Sequence, residues 1–201
     1  MTDQVLRSAD HLPDPRLPLS VCRVSVNRPV TAHAHEFQEI VYVARGQARH
    51  VAESRHGRAR RSSATALMPG DCFVVAPDER HAYQEPRNLV VYNVLFTPEL
   101  LQGEGRWLAS VPGVADFLLL EPLFRREGDA AAKLHLDLVG REAALTCLEA
   151  MALECADRSP GYELAARARF LELLVRLGRA WVDGSGRTAP LAAGQRDAVA
   201  H

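Results

Sequence analysis

The stretch His33-Ala34-His35-Glu36-Phe37-Gln38-Glu39, continuing as Ile40-Val41-Tyr42-Val43-Ala44-Arg45-Gly46, decides how the chain is read. In an extended strand, residues of one parity share a face. His33, His35 and Glu39 then point the same way. Val41 and Val43 share that face and mark it as the inward one. Glu39–Val43 is rich in β-branched and aromatic residues, and the run stops at Arg45-Gly46-Gln47. Two imidazoles and a carboxylate turned into a core need a cation, hydrogen-bond partners or water, because an unpaired buried charge is costly. His81 follows a second turn and shares parity with Tyr83, which supplies a fourth inward group. Three His and one Glu with open positions suit Zn²⁺, Ni²⁺, Fe²⁺ or Mn²⁺ better than Ca²⁺ or Mg²⁺. Such a metal is the only cofactor the sequence points to; the alternative is a hydrogen-bonded polar cluster. His11, His50, His56, His135 and His201 have no partners at ligand spacing and read as solvated or capping residues.

Working outward, the first half reads as seven to nine short strands. Cys22, Val24 and Val26 alternate with polar residues. Gln47–Ala52 and Ala59–Leu67 look like hairpin arms around a polar tip. Met68-Pro69-Gly70-Asp71 carries Pro and Gly where a type II turn wants them. Further turns are expected at Pro77-Asp78 and at Glu85–Asn88. So many strands at this spacing imply a sandwich or closed barrel. The basic run Arg55-His56-Gly57-Arg58-Ala59-Arg60-Arg61 reads as a solvated hairpin tip.

After residue 97 helical spacing takes over. Thr97-Pro98-Glu99 opens short helices. Lys133–Asp137 returns as one strand, and Asp137 caps a helix carrying Leu145, Leu148, Met151 and Cys155. Asp157–Gly161 breaks it, and a second helix runs to about Trp181. That helix has two apolar stripes: Leu164, Ala168, Leu171, Val175 and Val182, and Phe170, Leu174, Leu177 and Trp181. Together they exceed what one surface helix needs, so either the helix is buried within one larger core or two neighbours are expected. One is the barrel or the hairpin partner, and the other is a second subunit. Leu164, Phe170, Leu171, Leu174 and Leu177 are the expected homodimer contacts.

Composition narrows the function classes. The chain has 201 residues, 24 Lys+Arg against 25 Asp+Glu, and a formal charge of −1. Nucleic-acid binders usually carry a basic excess, so these residues alone do not read as one. No apolar run reaches the roughly 18–20 residues that span a membrane, and the start lacks a signal pattern. A cytoplasmic location without membrane partners is the expectation. Cys22, Cys72, Cys147 and Cys155 are widely spaced in apolar stretches and read as reduced core residues.

The spacing HxH-x3-E-x6-G, then Pro69-Gly70-Asp71 and Pro77-x3-His81, resembles the two-part motif of the cupin barrel. The resemblance implies a metal on His33, His35, Glu39 and His81. The second motif departs from the pattern: Glu79 stands where Gly is common, the step to His81 is one residue shorter, and the usual Asn is missing.

A wider resemblance covers nearly the whole chain. The order Asn27-Arg28-Pro29, HAHEFQEIVYVARGQARH, LMPGDCFVVAPDERHAY, VVYNVLFTPELL, LLLEPLFRR, KLHLDL and SPGYELAARARFLELLVRL is similar to the sensor half of AraC/XylS-type transcription regulators. It implies a mainly β plus α fold: a cupin-like β-barrel (double-stranded β-helix or jelly roll) followed by an antiparallel helix pair. The implied boundaries are an N-terminal arm at 1–19, the barrel with short helices at 20–136, a dimerisation helix pair at 137–182 and a Gly/Ala/Pro/Ser-rich linker at 183–194. Residues 195–201 resemble the start of a helix-turn-helix DNA-binding domain. In the family's arabinose-responsive prototype an Arg of an Arg-Pro pair and a Tyr after the His-bearing turn contact the sugar. These match Arg28 and Tyr83, and the His/Glu cluster lies in the same cavity. Positions near Val91 and Asn93 differ in kind, which argues against arabinose.

Three readings stand side by side. A non-enzymatic effector-sensing and dimerisation domain, reaching DNA only through a further C-terminal domain, explains barrel, helices and linker. A stand-alone metal-dependent cupin enzyme, a dioxygenase or isomerase, explains the His/Glu set but not the linker. A pure dimerisation module explains the helices but not four inward polar groups.

Overall fold

The computed structural model describes residues 4–53, 62–126 and 128–184. The basic run 55–61, the linker beyond Gly184, and 195–201 with His201 lie outside the described residues, as does His56.

Eight strands form among the described residues: β1 Val5–Leu6, β2 Leu19–Val26, β3 Val30–His35, β4 Gln38–Glu53, β5 Ser62–Leu67, β6 Asp71–Val75, β7 Arg80–Phe96 and β8 Leu134–His135. The helices are α1 Ser8–His11, α2 Gly105–Ser110, α3 Glu121–Phe124, α4 Leu138–Asp157 and α5 Tyr162–Gly184. A 3₁₀ turn at Pro98–Leu101 and a π-helical turn at Asp116–Leu120 join barrel to helices.

Two long strands organise the barrel. The end of β7 pairs with β2, and its beginning pairs with β3. The beginning of β4 pairs with β6, and its end pairs with β5. β4 and β7 pair with each other throughout. The sheet is thus bent across its middle, and its two halves face one another as a cupin-like jelly roll.

The bend explains a departure from the sequence reading. The expected breaks at Arg45-Gly46-Gln47 and Glu85–Asn88 are not strand ends. They are bulges inside single strands of 16 and 17 residues. Gly46 has φ +77, and Glu85 and Asn88 each have φ +50. The β4–β7 register slips between Val43 and Arg49. One extra residue on one side of a ladder bends it and reverses which parity faces inward.

Two apolar layers follow. Val26, Val41, Val43, Phe73, Val75, Tyr83, Leu89 and Val91 fill the barrel. Ile40, Tyr42, Val74, Tyr92, Val94 and Phe96 face the other way and pack with Cys147, Leu148, Met151, Phe170, Leu174 and Leu177. Asp137 caps α4 by accepting the Gly140 N–H at 2.7 Å, and Arg158 ends that helix in the left-handed region. Of the two α5 stripes, Phe170, Leu174 and Leu177 are consumed inside this chain, whereas Leu164 is 74% exposed and Leu171 half-buried.

The N-terminal segment is tied down rather than loose. β1 runs parallel to β3, Leu12 and Leu17 are buried, and the Tyr162 hydroxyl donates to Asp14. No helix among the described residues is long and apolar enough to cross a membrane.

Candidate functional site

His35, Glu39 and His81 meet inside the barrel, each no more than 3% exposed, with one ligand atom apiece within 4.8 Å of the others. His35 ends β3, Glu39 opens β4, and His81 opens β7. The chain folds back at Glu36–Phe37, so His35 and Glu39 converge through that tight connection rather than along one strand.

Proton bookkeeping constrains the cluster. His35 Nδ1 lies 2.7 Å from the Phe37 carbonyl, which can only accept, so Nδ1 carries a hydrogen. Nε2 of the same ring lies 3.1 Å from Glu39 Oε2. A neutral imidazole and a carboxylate would meet there lone pair to lone pair. The contact therefore holds a proton or a cation. His81 Nε2 stands 3.6 Å from the same oxygen and has no hydrogen-bond partner. Ligands around one transition metal at ~2.1 Å, spread by 90–109°, lie about 3.0–3.4 Å apart. The two separations to Glu39 Oε2, 3.1 and 3.6 Å, are close to that, and all three ligand atoms lie within 4.8 Å of one another, so the donor set fits such an ion after a small contraction.

His33 stands apart. It is the register partner of His81, with ring centroids 4.4 Å apart, but its Nδ1 faces the Thr31 carbonyl at 3.1 Å. It is absent from the group whose ligand atoms converge. The third buried histidine is His50 instead, 2% exposed, with Nε2 3.3 Å from His81 Nδ1. Its ring lies 4.5 Å from that of Phe73 and 5.6 Å from that of Tyr83. His50 is thus not a solvated residue. The signal for it was the bulge at Gly46: before it Val41 and Val43 face inward, after it Ala48 and His50 do. Burial, with help from Arg125 and His33, pushes the His50 pKa down to about 3, and burial likewise holds His81 well below the usual histidine range. Both rings are neutral at physiological pH.

The inward face of β7 carries two further unpartnered buried atoms, Tyr83 Oη and Asn93 Oδ1. Asn93 pairs in register with Val41 and so shares its inward face. Burial, then the nearby Glu39, raises the Tyr83 hydroxyl well above its ordinary pKa. Arg28, by contrast, is exposed in the turn between β2 and β3.

The departure at Glu79 has a local role. Its carboxylate accepts the Ala76 N–H at 3.0 Å and Arg125 Nη2 at 2.9 Å, closing the turn before His81. His135 is also not merely solvated. Its Nδ1 lies 2.8 Å from the fully buried Asp71, and Arg141 lies 3.0 Å from its Nε2. Arg141 can only donate, so the His135 Nδ1–H donates to Asp71.

The profile of the AraC-like ligand binding domain matches residues 19–174. The chain belongs to this family. The match runs through the barrel, α4 and the first half of α5. The HTH-type transcriptional activator RhaR of Cronobacter sakazakii is 30% identical over 186 residues, 92% of this chain and 59% of that protein. RhaR of Klebsiella pneumoniae is 30% identical over 114 residues, 57% of this chain and 38% of that protein. The chain thus spans less than two thirds of the length of these relatives. A cupin-2 domain protein from Shewanella frigidimarina aligns over 38% of this chain and 69% of its own, with TM-score 0.32 and 17% identity. At that score the cupin-like assignment of this AraC-like domain rests on its strand topology and its family match.

Proposed function

We propose that this AraC-like domain is the effector-sensing and dimerisation part of a cytoplasmic transcription regulator. The observation that carries the reading is the set of buried, unpartnered polar atoms inside the barrel: His81 Nε2, Tyr83 Oη and Asn93 Oδ1, beside the His35–Glu39 pair. Leaving such atoms unpaired costs about 1–3 kcal/mol each, and a small polar effector that bonds to them recovers this. A divalent transition metal held by His35, Glu39 and His81 would add a Lewis-acidic centre with open positions for effector oxygens. His50 would then act as a positioning residue. Its Nε2 accepts the His81 Nδ1–H and aims the His81 Nε2 lone pair at the ion. His33 drops out of the ligand set, and Arg28 serves at most as a rim contact.

Effector binding favours one arrangement of the arm, helix pair or linker, and so changes DNA affinity through a C-terminal domain. The α5 stripe headed by the exposed Leu164, with Leu171 half-buried at its edge, serves the homodimer, because Phe170, Leu174 and Leu177 are already buried. The gene gives a direct test. A helix-turn-helix pair encoded after His201 is the expected result, and a stop codon there contradicts it. In the complete regulator, DNA affinity unchanged at saturating effector would equally contradict it. The His35–Glu39–His81 geometry is the one observation favouring a metal-dependent dioxygenase or isomerase, and that reading would require turnover by this chain alone.

A further inference from the structure

A second cavity lies outside the barrel, in the layer between the sheet and the helices. It measures about 480 Å³ and is bounded by Gln38 and Phe96 on the sheet side. Leu101, Leu108, Val114 and Leu118 close it on the other. That volume falls within the usual range for small-molecule pockets, roughly 300–1,000 Å³. The lining is apolar except for Gln38 and Asp116. Gln38 stands opposite Phe96 in the β4–β7 ladder, on the face of β4 opposite to Glu39. Its side-chain Oε1 is buried and has no hydrogen-bond partner. Part of the wall is the π-helical turn Asp116–Leu120, a form that recurs at functional positions. Ala109 and Leu119 are exposed at the rim and give a ligand a way in.

We propose that this cavity is a second small-molecule site, distinct from the barrel, for a mostly apolar molecule bearing a hydroxyl group. The apolar walls supply burial, and a hydroxyl answers the Gln38 amide whichever of its two ends faces the cavity, since it both donates and accepts. No cationic side chain is among the described residues that line the space, so a carboxylate of the same chain length is disfavoured. The site also touches the helix pair. Gly113 abuts Gly178 and Val182, and the Phe117 ring lies 5.3 Å from that of Trp181. A molecule lodged against residues 113–118 therefore bears on the C-terminal half of α5. Gln38 and Glu39 are adjacent on β4, so the two sites sit back to back across one strand.

The test is isothermal titration of the whole chain with 1-octanol, with octanoate as the charged control. One saturable octanol site is expected, with octanoate binding at least tenfold weaker. Gln38→Leu removes the one unpartnered polar atom among the described residues that line this cavity and is expected to weaken octanol binding about tenfold. Ala109→Trp, at an exposed rim position outside the core, is expected to abolish it. His35→Ala, inside the barrel, is expected to leave octanol binding unchanged and so separates this site from the effector reading. Non-saturable binding, equal affinity in wild type and Gln38→Leu, or loss of binding in His35→Ala would each overturn the proposal.

Discussion

Replacing Gly46 by Ala tests the bend that gives the barrel its interior. Gly46 sits at φ +77, and a Cβ there would lie 2.2 Å from the Asn88 carbonyl oxygen and 2.5 Å from that of Arg87. Ordinary contact begins at 3.4 Å, so the strand opposite must retreat by more than an ångström. Left-handed backbone costs an L-residue about 1–2 kcal/mol, and forced overpacking adds about 1–3 kcal/mol. The sum is roughly 2–5 kcal/mol. At about 2–4 °C per kcal/mol for a domain of this size, Tm should fall by about 10 °C. Gly161→Ala is the control, because Gly161 has φ +88 but nothing within 4 Å of its would-be Cβ. It carries only the backbone cost and should lower Tm by about 3–5 °C. Differential scanning calorimetry of both variants reads the difference. Equal shifts, or a silent Gly46→Ala, would refute the claim that β4 and β7 interlock at this bulge.

Other outcomes follow from single contacts. His50→Ala should weaken divalent-metal affinity about 10–100-fold, while His33→Ala changes it less than about threefold; the reverse order, by competition titration, would restore His33 to the ligand set. Asp71→Ala leaves Lys133 and His135 without their buried partner and should destabilise the fold by about 3 kcal/mol in urea unfolding; a loss below 1 kcal/mol would mean that the buried network contributes little. Leu164→Asp should give a monomer by sedimentation with Tm nearly unchanged, because Leu164 is exposed, whereas Leu174→Asp should unfold the chain; a dimer surviving Leu164→Asp would move the interface elsewhere. Asp14 is held low chiefly by the Tyr162 hydroxyl, with Arg16 and Arg158 assisting, and Glu36 chiefly by the Ser8 N–H, with Arg7 assisting. Carboxylates with lowered folded pKa stabilise above their unfolded pKa and lose that contribution as pH falls through the folded value. Amide protection of residues 4–17 relative to β7 should therefore drop below about pH 4; a constant ratio down to pH 3 would contradict a role for Asp14 and Glu36 in tying down the N-terminal segment.

The barrel was legible because its signals are local. Alternation marked the strands, Pro and Gly marked turns, and the HxH-x3-E spacing marked the inward cluster. What escaped the sequence depends on register. Parity holds only within an uninterrupted ladder, and the slip at Gly46 reverses it, so His50 moved from a presumed surface position into the site. The same limit explains His33. It shares parity with His35, but the fold-back at Glu36–Phe37 puts Glu39 on another strand, and convergence there is set by pairing rather than by alternation. The two stripes of α5 were readable, but not which one the barrel would consume. That choice depends on the sheet residues facing the helix, such as Phe96, whose ring lies 4.9 Å from that of Phe170. His135 and Asp71 are 64 positions apart, and no local pattern joins them.

Titration of metal-free protein with Co²⁺, followed by its visible ligand-field absorption, tests the central claim most directly. One saturable site is expected in the wild type, lost in His35→Ala and in Glu39→Gln. No saturable spectrum, or the same spectrum in all three proteins, would contradict a cation-binding site at the heart of the barrel.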